Sequence, residues 1–183
     1  MPLVRGGEWW RWFTSIYLHQ SLQHLVANML LFFALVSHLE LNYGFWRLTL
    51  VWILSGVGGN LVSAAAEDPC SLVVGASGAI FGFMGLFIAD VMLNFESISR
   101  PFLRIVFIAV FLVFFAVTVF TDKSRTNVSH FSHLGGLLCG LFPSFVFLPN
   151  VTNRRYRAVQ SAIADNGRAA ALSSEGAASR ERR

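Results

Sequence analysis

Apolar residues in this chain fall in long runs, not in the narrow stripe of a helix lying on a soluble core. Runs at residues 22–39, 45–65, 75–94, 103–120 and 130–148 are separated by short polar connections at Glu40 to Gly44, Glu67-Asp68-Pro69, Glu96 to Pro101 and Asp122 to Asn127. Each run approaches the ~20 residues that carry a helix across a bilayer. Each must also be helical, because a backbone in hydrocarbon has to pair its polar groups within its own segment. The pattern therefore predicts an all-α, polytopic membrane protein with about five transmembrane helices.

The flanks read differently. Residues 8–20 mix Trp9, Trp10, Trp12, Phe13 and Tyr17 with Glu8 and Arg11, the blend of rings and charges that settles at the headgroup layer. Residues 1–21 are thus expected to lie in the interface, residues 22–148 to form the membrane domain, and residues 149–183 to be a disordered basic tail. Arg154, Arg155 and Arg157 put the tail on the cytoplasmic side. Arg47, Arg100 and Arg104 follow it there and Glu67 and Asp68 fall opposite, with Lys123 and Arg125 running against the trend. The first seven residues carry no apolar core of a cleavable signal, so insertion is expected to start with the first span.

Composition sharpens this picture without changing it. The chain is 55% hydrophobic and 13% charged, against roughly a quarter charged in soluble domains. Two cysteines, Cys70 and Cys139, make no disulfide framework. The net charge of +4 gathers in the tail, and no nucleic-acid partner is expected. His19, His130 and His133 are the only hint of a metal, but there is no HExxH and no thiolate cluster, so neither metal nor cofactor is expected.

Candidate chemistry follows from parity. Successive spans alternate in direction, so the first, third and fifth run parallel. Each carries its unusual polar groups in its opening turns: His24 and Asn28, then Ser77, then His133. At about 1.5 Å per residue these lie at one shallow depth, and polar groups inside a bilayer are costly unless paired or functional. Gly78 and Gly82 are four apart, as are Gly136 and Gly140, a small-residue spacing that lets helices approach closely. Opposed, these faces would bring His133 to Ser77 as base to nucleophile. The Ser77 N–H at a helix start, with His24 and Asn28, would supply donors to an oxyanion. Taken singly, Ser77, His24 and Asn28 are more often interhelical glue, and only the constellation favours chemistry. Asp90 lies ~20 Å along its helix from Ser77, near the cytoplasmic interface, and reads as a snorkelling or locally paired acid. Residues 103–120, almost all apolar, suit a gate and a lipid-facing helix equally. A transporter lacks support, because no discontinuous paired repeats are present.

These motifs carry a resemblance. Gly75-Ala76-Ser77-Gly78-Ala79-Ile80-Phe81-Gly82 resembles the serine motif of rhomboid intramembrane proteases, and His133-Leu-Gly-Gly136-Leu-Leu-Cys-Gly140 resembles their HxxGxxxG helix. His24-Leu-Val-Ala-Asn28 resembles the family's HxxxN, and Glu8 with Trp10-Arg11 its tryptophan–arginine loop. The match covers about residues 7–148. It implies a Ser77–His133 dyad with no acidic third member, oxyanion donors at His24, Asn28 and Ser77, and Phe81 stacked on the histidine. The substrates implied are single-pass transmembrane proteins, met within the lipid bilayer and entering beside residues 103–120. The plant-like style of the motifs leans towards a secretory-pathway or plasma membrane. Two departures stand out: the span that would precede the tryptophan–arginine loop in a six-helix core is expected to be missing, and Ser129 and His130 occupy positions where the family often has Asp and Asn. The competing reading is an inactive rhomboid-like protein that binds transmembrane clients for trafficking or degradation.

Overall fold

A computed structural model describes residues 6–67, 73–98, 100–121 and 129–148, with Ala162, Asp165 and Asn166 beyond them. A short helix α1 (Arg11–Thr14) runs into a 3-10 turn at Ser15–Tyr17, and five long helices follow: α2 (Leu22–Tyr43), α3 (Phe45–Ala66), α4 (Ser77–Asn94), α5 (Pro101–Thr121) and α6 (His130–Phe147). The described residues contain no strand. The all-α polytopic expectation holds. Four helices have the length and composition to cross a membrane: α2, α3, α4 with its 3-10 extension to Ser97, and α6. The fifth predicted span, residues 103–120, lies within the 21 residues of α5. The expected tail at 149–183 (three positions aside) lies outside the described residues, as do Asp68, Cys70, Lys123 and Arg125.

Helix boundaries follow from local chemistry. The Ser21 hydroxyl accepts from His24 N–H at 3.1 Å to start α2, and Ser129 does the same for Ser132 N–H at 2.9 Å to start α6, satisfying amides that have no partner inside the helix. Gly44, at φ +79°, separates α2 from α3. The third apolar run reaches back to Gly75, and α4 begins at Ser77, the expected helix start. Gly75 sits at φ +130°, a conformation open to glycine and strained for other residues, and this breaks the chain just before the serine.

α4 is the central helix and is buried along nearly its whole length, packed most extensively on α6 and next on α3. Glycines make this possible. A Cβ on Gly136 would land on the carbonyl of Gly78, and one on Gly140 on the carbonyl of Gly82. The two predicted glycine pairs therefore face each other, backbone against backbone. α3 joins the same seam: a Cβ on Gly59 would meet Ser132 O at 2.5 Å, and one on Gly82 would strike Ser55. Gly85 extends it one turn, since its Cβ would lie 2.6 Å from Leu141 N. In lipid such contact replaces the hydrophobic drive that helices lack there.

Candidate active site

Close approach of α4 and α6 places the two opening turns side by side, and His133 Nε2 lies 2.8 Å from Ser77 Oγ. That is hydrogen-bond distance for a hydroxyl and an imidazole. The imidazole is fixed from behind by Phe81, one turn along α4: ring centroids are 4.3 Å apart and the planes 4° from parallel. Phe115 of α5 meets the same imidazole edge-on at 5.9 Å.

The other predicted residues gather here as well. His24 and Asn28 on α2 line one cavity of about 240 Å³ together with Gly75, Ser77, Phe81 and His133. Leu31, Val73, Val74 and Ile80 supply its apolar wall. A Cβ on Gly75 would sit 2.9 Å from His24 Cε1 and 3.8 Å from Asn28 Nδ2, so the glycine also makes room for those two side chains. Asn28 is 7% exposed, and its Nδ2 meets no acceptor among the described residues. A buried amide donor without a partner is uncommon and calls for an explanation. Ala76 at the N-cap of α4 has no capping side chain, so the first amides of the serine helix stay available at the cavity. Gly78, Gly82, Gly136 and Gly140 lie in the seam beneath, and Asp90 is paired locally, to Arg104 at 2.8 Å.

Three connections were not read from the sequence. Asn60 Nδ2, midway along the second apolar run, donates to Trp12 O at 2.8 Å and to Ser15 Oγ at 2.9 Å. Ser15 O in turn accepts from Gly75 N–H at 3.0 Å, so the segment before α2 is tied to the turn that carries the serine. A lone amide in an apolar run was the visible signal. His19 adds a second tie, accepting from Ala76 N–H at 3.5 Å beside His24. At the start of α6, Ser129 Oγ donates to Glu67 Oε1 at 2.8 Å while Ser63 Oγ donates to Glu67 Oε2 at 2.6 Å. Glu67 was read only as an orientation charge. Ser63 lies four residues before it on the last turn of α3, but Ser129 comes from the start of α6, and no sequence spacing joins that residue to Glu67.

Comparison with known proteins shows the family. A family model described as the rhomboid domain matches residues 6–150. RHOMBOID-like protein 1 of Arabidopsis thaliana is 35% identical over 80% of the chain. The rhomboid protein YdcA of Bacillus subtilis is 35% identical over 84% of it, and Rhomboid-like protease 1 of Toxoplasma gondii is 31% identical over 76%. The chain spans 36% of the plant relative's length, 74% of the bacterial one's and 47% of the Toxoplasma protein's. With its domain matched almost end to end, this multi-pass membrane protein belongs to the rhomboid family.

Proposed function

We propose that the chain is an intramembrane serine endopeptidase that cleaves transmembrane protein substrates with a Ser77–His133 dyad. The observation that carries this reading is the 2.8 Å approach of His133 Nε2 to Ser77 Oγ inside the helix bundle. Membership of a family with relatives named as proteases supports it.

In the proposed reaction neutral His133 accepts the hydroxyl proton through Nε2 as Ser77 Oγ attacks the scissile carbonyl. The new C–O bond moves the carbonyl electron pair onto oxygen. The Ser77 N–H, the Asn28 amide and His24 stabilise that oxyanion, which explains a buried Asn28 donor with no protein acceptor. The imidazolium then gives its proton to the leaving amine as the C–N bond breaks. A water, deprotonated by His133, hydrolyses the acyl-enzyme and returns the hydroxyl. Phe81 holds the ring plane through both transfers. The apolar wall of Leu31, Val73, Val74 and Ile80 receives substrate side chains.

The test is cleavage of a tagged single-pass substrate in liposomes by this chain and by Ser77→Ala. Product from the parent and none from the variant supports the reading. No product from folded parent protein removes it in favour of an inactive, client-binding rhomboid-like protein.

A further inference from the structure

At the opposite end of α4 from Ser77, four polar side chains meet inside the bundle. Asp90 and Asn94 lie on α4, Tyr43 on the last turn of α2, and Arg104 on the first turn of α5. Asp90, Asn94 and Tyr43 are each 3% exposed or less. Tyr43 Oη donates to Asp90 Oδ1, Asn94 Nδ2 reaches the same oxygen at 3.0 Å, and Arg104 Nη1 reaches Asp90 Oδ2 at 2.8 Å. The carboxylate is satisfied from three sides, as a buried charge requires. The Arg104 guanidinium also lies 5.2 Å above the Phe87 ring.

α5 stands apart from the other long helices. None of its residues from Pro101 to Val117 is fully buried; apart from an edge-on contact of Phe102 with Phe95 just past the end of α4, the ion pair and ring contacts it makes there fall on one line. Reading upward, that line is Arg104, then Phe107 against Phe87, then Phe111 and Phe115 against Phe81. Its steps of three, four and four residues form one stripe of a helix. The upper contacts are ring against ring, weak one at a time and replaceable by other apolar groups. The lower contact is a desolvated ion pair, which no lipid chain can replace. The stripe ends on Phe81, the ring that stacks on His133.

We propose that the Asp90–Arg104 pair, braced by Tyr43 and Asn94, is the anchor that positions α5 over the Ser77–His133 site. Arg104 and Asp90 are positioning residues that act through Phe111, Phe115 and Phe81, about 20 Å from the serine along α4. The functional meaning of this placement rests on the protease reading; the placement itself does not.

Spin labels at Leu61→Cys on α3 and Val113→Cys on α5, in a Cys70→Ser, Cys139→Ser background in liposomes, report the distance across the site. One narrow distance population is expected for the parent and for Arg104→Lys, which keeps the charge. Arg104→Gln and Asp90→Asn are each expected to lose the single narrow population. A control pair at Leu25→Cys and Leu61→Cys, away from α5, is expected to stay narrow in every variant. An unchanged Leu61–Val113 distribution in both charge-removing variants overturns the proposal. So does broadening of the control pair, which would make the cluster a general staple of the fold, or equal broadening in Arg104→Lys. The distances need no turnover: an inactive parent with intact anchor behaviour would remove the protease reading and leave this inference standing.

Discussion

The imidazole of His133 lies flat on the ring of Phe81, 4° from parallel at 4.3 Å. The side chain that carries the proposed proton transfers is therefore oriented by the same helix that carries the nucleophile. Stacking of this kind contributes about 0.5–1.5 kcal/mol beyond burial. Phe81→Leu is expected to lower kcat by about two- to tenfold at nearly constant KM, since orientation and not binding is lost. Steady-state cleavage in liposomes checks this; an unaltered kcat would assign the ring to packing alone.

Asn28 separates activity from stability. Its Nδ2 is buried without a protein acceptor, so removing it relieves the fold of an unmet donor. Asn28→Ala is expected to leave thermal stability unchanged or raised and to lower kcat by about 100-fold or more, the usual effect of losing an oxyanion donor. Loss of both together in thermal and kinetic assays would mark the residue as structural.

Gly136→Ala should behave in the opposite way. Its Cβ would fall on the Gly78 carbonyl, and neither backbone has a side chain that can yield. Overpacking is expected to destabilise the protein by about 1–3 kcal/mol and to pull His133 away from Ser77. Unfolding in mild detergent reads the first effect and Ser77 labelling by a fluorophosphonate the second. A variant that keeps both parent values would contradict the backbone contact.

Gly75→Ala meets two obstacles, a φ of +130° and the His24 ring 2.9 Å from the new Cβ. Strained backbone of this kind costs of order 1–3 kcal/mol. The turn before Ser77 should relax away from it, so fluorophosphonate labelling is expected to drop further than stability does. Full labelling with unchanged melting would show that the turn tolerates a side chain.

At the foot of α6, Ser129 both caps the helix and donates to Glu67. Ser129→Ala is expected to lower stability by about 1 kcal/mol, the ordinary loss for an N-cap. Ser129→Asp, which caps equally well, would place a second carboxylate against Glu67, and is expected to recover less than the cap alone predicts. Recovery to the parent melting point would mean that Glu67 does not face the cap.

How far the sequence revealed this site depends on how each contact is encoded. Ser77, His133, His24 and Asn28 were legible because parity and helical rise put them at one depth, and polar residues in apolar runs are few. Gly78 with Gly136 and Gly82 with Gly140 were legible from spacing. The helix start at Ser77 was legible too, although the apolar run itself extends back through Ala76 to Gly75. Gly59 went unread as a seam residue, since its role depends on how α3 is rotated, which no one-dimensional pattern reports, and Gly85 stands three residues past Gly82, outside the four-residue spacing. Asp90 was read as either snorkelling or locally paired; Asn94 is its neighbour one turn along α4, but Tyr43 and Arg104 belong to other helices and reach it only after packing.

Where Gly78 faces Gly136 and Gly82 faces Gly140, backbone meets backbone, and only the small Ser132 side chain of α6 lies against Gly78, so no bulky group stands there to repack. α4 and α6 can then move only together. The distance from nucleophile to base is thereby shielded from thermal and substrate-induced motion, and any widening that admits a polypeptide has to come from neighbouring helices. Bilayer thickness or lipid composition should accordingly change how often substrate reaches the dyad and leave the dyad's own geometry untouched.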